Sequence, residues 1–168
     1  LFEVMGVPVY NSDNRAKEMY YKREVKEQVI RLLGTNAYDA EGKLDIKHVS
    51  KIVFGDSGTL SKINAIIHPA VETDFKEFVT QHASHKIIIK ESALLFETGI
   101  YKKMDKIILL TSPLELKIAR VQSRDNISTE EIMKRVNHQL PDEEKIPISD
   151  FVIKNDEVHG LIPQAVQV

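Results

Sequence analysis

Cysteine is absent from the 168 residues, which excludes a disulfide framework, a thiolate-bound zinc and a cysteine nucleophile. Neither sign of charge dominates. Twenty-three basic against 25 acidic side chains leave a formal net charge of −2, so composition argues against a non-specific nucleic-acid binder. No apolar run approaches the roughly 18–20 residues of a membrane-spanning helix, and no signal-peptide pattern stands at the start. The expected setting is therefore the reducing cytoplasm, with no membrane partner. Six scattered histidines show no HExxH or comparable ligand spacing, which argues against a histidine-built metal site. Also missing are GxSxG, GxGxxG and GxxxxGK followed by Ser or Thr, so these residues hold no glycine-rich anion cradle of their own.

What is present is 42% hydrophobic, enough for one domain or one domain with a small insertion. Leu1 to Gly6 reads as the tail of a helix capped by Gly6. Val7-Pro8-Val9-Tyr10 follows as a short buried strand, and residues 14–33 carry helical spacing closed by Gly34. Helical patterns then run from Asp45 to Phe54, from about Ser57, and again from a junction at His68-Pro69, since proline suits a first helical turn. Lys86 to Lys90 and Lys106 to Thr111 are β-branched or apolar runs without alternation, as in a parallel sheet covered on both faces. A helix opens at Ser112-Pro113, and Ser128-Thr129-Glu130-Glu131 is a capping box for another. Phe151-Val152-Ile153 is the last strand, and residues 158–167 the last helix. Strand and helix alternate around a helical middle, which predicts an α/β fold with a helical insertion.

Chemistry concentrates at three places. Asp13 lies just past the carboxyl end of the first strand, where open α/β sheets bind ligands. Its spacing favours a helix cap, and it also suits a base that deprotonates a hydroxyl. Glu91 ends the second strand and suits a carboxylate holding magnesium-bound water, or one bonded to neighbouring amides. Arg120 and Arg124 stand four apart on one helix face, placed to converge on a polyanion, or to form a solvated basic face with Lys134 and Arg135. Leu94-Leu95-Phe96 fits core packing or ligand contact, and His68 marks the helix junction.

In this order the segments resemble dephospho-coenzyme A kinase. The resemblance rests on Val7 to Asp13, on Ile66-Ile67-His68-Pro69, on Glu91 to Glu97 and on Arg120 to Asp125. It continues through Gln139 to Lys145 and Ser149 to Asp156, so it covers essentially the whole chain. It implies a three-layer P-loop kinase-like α/β fold with a parallel sheet. Residues 1–34, 84–112 and 146–168 would be the nucleotide-binding core, 35–83 the helical coenzyme-A-binding region and 113–145 the lid. It further implies ATP and Mg2+, with dephospho-coenzyme A as the small-molecule substrate phosphorylated on its ribose 3′-hydroxyl. Asp13 matches the base, His68, Leu94 and Phe96 the substrate-binding segments, and Arg120, Arg124 and Asn155 the lid and ATP positions. Glu91 stands where the family usually has Asp and reaches one methylene further. Asn11 replaces the first acid of a common Asp-x-Asp, and Glu157 replaces a common Gly after Asn155-Asp156. The family opens with a strand and a GxxxxGK loop, and its first strand lies between the third and fourth. Their lack leaves the strands near 86–90 and 106–111 without a partner between them, and implies an N-terminal segment outside these residues and an inactive stretch without it. Two other readings remain open: a non-catalytic coenzyme-A or nucleotide-binding module, and a nucleoside or nucleotide kinase of the same architecture.

Overall fold

The computed structural model describes the backbone of residues 1–168 and every side chain except those at 54, 55 and 57. The chain forms two compact units, Glu3–Ser92 and Ala93–Val168 with Leu1–Phe2. No described helix is long and apolar enough to cross a membrane.

In the first unit, β1 (Val9–Asn11) pairs in parallel with β2 (Ile89–Glu91), in the register Val9 to Ile89 and Asn11 to Glu91. The expected run from Lys86 enters the ladder only at Ile89, whose N–H donates to Pro8 O at 2.9 Å. Pro8 has no N–H with which to extend the pairing. The expected helix tail before β1 is not helical. Residues 2–6 make a turn, closed where Gly6 N donates to Glu3 O at 3.0 Å with Gly6 at φ +82°. Only glycine takes that backbone without strain.

The single helix expected over 14–33 is two, α1 (Ser12–Met19) and α2 (Arg23–Leu33). Local propensity gives no reason for the break, but tertiary structure does: the Tyr38 hydroxyl donates to Tyr20 O at 2.7 Å, taking a carbonyl that a continuous helix would use. After α3 (Ile46–Gly55) comes α4 (Ser57–Gln81), which runs unbroken through Pro69. The junction expected at His68-Pro69 is thus absent. Pro69 forfeits one helical bond, and Pro69 and Ala65 both lie on the exposed side of the helix, where a released carbonyl is least costly. Met19, Val25, Val29, Val49, Ile63 and Ile67 close the core between α1, α2, α3 and α4.

In the second unit, β3 (Ile108–Thr111) pairs in parallel with β4 (Phe151–Lys154). The ladder starts after Ile107 because the Asp150 carboxylate takes the Ile107 N–H at 2.8 Å and Lys106 Nζ at 2.7 Å. The strands therefore form two separate two-stranded ladders, and none joins β2 to β3 among the described residues. Helices α5 (Leu114–Asp125), α6 (Thr129–Asn137) and α7 (Asp142–Lys145) follow β3, and α8 (Leu161–Val166) ends the chain. The capping box at the start of α6 forms as the sequence predicts, with Ser128 Oγ accepting from Glu131 N at 3.2 Å. Phe96, Ile107 and Leu109 make this unit's core.

Candidate active site

Parallel strands bring their carboxyl ends to one edge, so the register Asn11 to Glu91 fixes what meets there in the first unit. Strand β1 passes directly into α1, and Asn11 caps that helix by accepting the Asn14 N–H at 2.9 Å. Asn11, not Asp13, is therefore the N-cap residue, and Asp13 sits exposed in the first helical turn. The Asn11 side-chain amide also donates to the Glu91 carboxylate. Glu91 is open to solvent as a residue, yet desolvation of its carboxyl, and secondarily the Asp13 charge, raise it above the ordinary glutamate value. Two acids thus share the mouth of this ladder, with Asn11 holding one of them.

Behind that edge, Tyr10 is 1% exposed and its hydroxyl donates to Asp74 Oδ2 at 2.9 Å and to Val71 O at 3.1 Å. Burial, first, and then Asp74 push the Tyr10 hydroxyl far up, so it stays a donor. Asp74, 8% exposed on α4, also meets Lys22 Nζ at 3.1 Å and Arg15 Nε at 3.4 Å. This node ties α4 to β1 and α1, next to Asp13. His68 is exposed on the same α4 helix and lies outside the node.

The second unit carries a corresponding edge. Asn155 follows β4 and donates its N–H to Thr111 O at 2.8 Å. Its own carbonyl accepts from Ser112 Oγ at 2.9 Å and from Arg120 Nη1 at 3.0 Å. Arg120 also reaches Ser112 Oγ at 3.3 Å and Glu157 Oε1, through Nη2, at 3.1 Å. Arg120 and Asn155 are brought together, although through the Asn155 backbone rather than its amide. Arg124 is not brought to the same partner. Its Nε and Nη2 bond the neighbouring Asp125 carboxylate at 2.7 and 3.0 Å, and Arg135 stands 3.6 Å from that acid. An adjacent carboxylate in bidentate reach wins over a shared distant one.

Phe96, at 9% exposure, packs its ring against Tyr101 in the core, whereas Leu94 is 44% exposed. Sequence reasoning missed the partners Ser112 and Asp74. It also missed the buried pair Glu97 and Lys145, whose Nζ lies 3.4 Å from Glu97 Oε1. Only the last had a visible signal, an acid and a lysine inside two quoted motifs.

A family model described as dephospho-CoA kinase matches residues 1–159. A dephospho-CoA kinase of Bacteroides fragilis is 38% identical over 169 residues, covering 100% of this chain and 82% of that protein. One from Fusobacterium nucleatum is 38% identical over 151 residues, covering 90% of this chain and 78% of its own length. Among solved structures, one from Thermus thermophilus superposes with a TM-score of 0.82 at 27% identity, covering 99% of this chain and 84% of that one. The dephospho-CoA kinase from Campylobacter jejuni gives a TM-score of 0.64 at 26% identity, over 92% of this chain and 78% of that one.

Proposed function

The chain belongs to the dephospho-CoA kinase family, and on that premise we propose that Asp13 is the base for the acceptor hydroxyl. The fold is that of P-loop kinases, and the activity is ATP-dependent phosphorylation of dephospho-CoA to coenzyme A. That activity is the reading the sequence led with, and the non-catalytic module and the nucleotide kinase, its two alternatives, are set aside.

The observation that carries the reading of Asp13 is its place at the end of the ladder. Asn11 supplies the helix cap, and Asp13 stands exposed at a strand's carboxyl end beside a second acid. In the step itself, the ribose 3′-oxygen attacks the γ-phosphorus, its proton passes to the Asp13 carboxylate, and the bond to the β-phosphate oxygen breaks to leave ADP. Positioning and charge neutralisation supply most of such a catalysis. Arg120, held by Ser112 and the Asn155 carbonyl, offers its guanidinium to the phosphates. Arg124 joins it only after leaving Asp125, a rearrangement in keeping with a lid over residues 113–145. His68 and Leu94 remain surface positions for the acceptor, and Phe96 lies in the core of its own unit.

The donor set at the first ladder fits magnesium. Glu91, its carboxyl raised by burial and then by the Asp13 charge, is the carboxylate that would hold the ion while Asp13 takes the proton, since magnesium takes one or two carboxylates plus water and phosphate. Among the described residues no three His, Cys, Asp or Glu gather into a cage, which a cation shared with phosphate does not need. Bound there, the ion supplies positive charge to phosphate oxygens.

The test is Asp13→Asn in the full-length enzyme. Turnover should fall roughly 10²–10⁴-fold, the usual worth of a general base, with the KM for ATP nearly unchanged. Wild-type turnover in that variant removes Asp13 from the mechanism.

A further inference from the structure

We propose that Glu157 is the resident counter-anion of Arg120 and that binding of the nucleoside triphosphate displaces it. The inference rests on reading Arg120 as a phosphate-binding group.

The two edges of the Arg120 guanidinium are used differently. Nη1 is anchored to the strand ends by Ser112 Oγ at 3.3 Å and Asn155 O at 3.0 Å, while Nη2 meets the Glu157 carboxylate at 3.1 Å. The first set orients the group, and the second places an anion on its other terminal nitrogen. Glu157 reaches this place from a left-handed backbone, φ +66°, which a residue with a long side chain adopts only under constraint. The Asp156 carboxylate accepts the N–H groups of Val158 at 3.1 Å and His159 at 2.9 Å, and so winds the turn around residue 157. A glycine would hold that turn with no strain but would leave Arg120 without its carboxylate. The turn therefore carries a conformational cost and returns one contact, an ion pair.

Arg donates two parallel bonds to a phosphate only with both donors of one edge available. With Nη2 on Glu157, a triphosphate gains that second bond by expelling the carboxylate, which also repels it. Both side chains of the pair are partly open to solvent, so the pair is weak enough to yield and its effect on affinity is modest.

ATP titrated calorimetrically into the full-length enzyme tests this, with Glu157→Gln, Glu157→Gly, Arg120→Ala and the double variant Arg120→Ala/Glu157→Gln. Both substitutions at 157 should tighten ATP about two- to fivefold, the range an exposed ion pair commands. The gain should vanish once Arg120 is alanine, whereas Arg120→Ala alone should weaken binding. If Arg120→Ala weakens ATP but Glu157→Gln leaves it unchanged or weaker, Glu157 is not displaced and the proposal falls while the reading of Arg120 stands. A tightening that persists without Arg120 overturns it as well. Unchanged ATP binding in Arg120→Ala refutes the phosphate reading of Arg120 and this inference with it.

Discussion

Asp74→Asn is the sharpest test of how the first unit is held together. The carboxylate is 8% exposed and has three partners: the Tyr10 hydroxyl at 2.9 Å, Lys22 Nζ at 3.1 Å and Arg15 Nε at 3.4 Å. Asparagine keeps an acceptor for Tyr10 but deletes the charge. A hydrogen bond to a carboxylate is worth roughly 1.5–3 kcal/mol and a neutral one about 1, so that contact loses about 1 kcal/mol. Lys22 and Arg15 extend into solvent, and screening holds each pair to about 0.5 kcal/mol, adding about 1 more. Tyr10 retains Val71 O, so no orphaned hydroxyl enlarges the loss. The expected cost is about 2 kcal/mol, read by urea unfolding followed by circular dichroism at pH 7. Burial alone would raise the Asp74 carboxyl, but the bonds from Lys22 and Tyr10 and the Arg15 charge outweigh it and hold it below its ordinary value. A depressed carboxylate stabilises above its unfolded pKa of about 4, and that contribution is lost as pH falls through the folded value. The gap between wild type and Asp74→Asn should therefore be full at pH 7 and shrink below about pH 4. A difference under about 0.5 kcal/mol at pH 7, the size of an ordinary surface change, refutes this account, as does one that ignores pH.

Two further substitutions probe the second unit. Ser128→Ala removes the acceptor for Glu131 N and the reciprocal capping box, which should cost about 1 kcal/mol and increase amide exchange in the first turn of α6. Lys145→Met fills similar volume but leaves Glu97 with backbone donors only, Leu140 N at 2.7 Å among them. Lys145 is 6% exposed, so breaking this pair should cost about 3 kcal/mol at pH 7, and Glu97→Gln in the same background should recover part of it.

The parts of the site legible in the sequence are those set by backbone order. Asp13 and Glu91 end two apolar runs, and parallel pairing necessarily carries both ends to one edge. Arg120 meets Asn155 for the same reason, because β3 and β4 also run parallel and finish together. Side-chain partnership is another matter. Helical spacing puts Arg120 and Arg124 on one face, but spacing contains no information about competing acids. Asp125, one residue away, captures Arg124, and Glu157, brought near by a turn 37 residues on, captures part of Arg120. Asp74 had no local signature, since its hydroxyl partner lies 64 residues away.

Proline and helix boundaries erred in one direction, toward local rules. Pro69 marked a junction by propensity, and residues 14–33 an uninterrupted helix. In the fold the first continues, on the exposed side of α4, and the second breaks where Tyr38 donates to the Tyr20 carbonyl. An interior proline costs about 3 kcal/mol and one tertiary hydrogen bond returns about 1, so propensity alone settles neither boundary. What cannot be inferred locally is which carbonyl will have a tertiary donor. At Tyr20 that donor also shapes the site: the break places Lys22 where it pairs with Asp74, and Asp74 holds Tyr10 three residues before the proposed base.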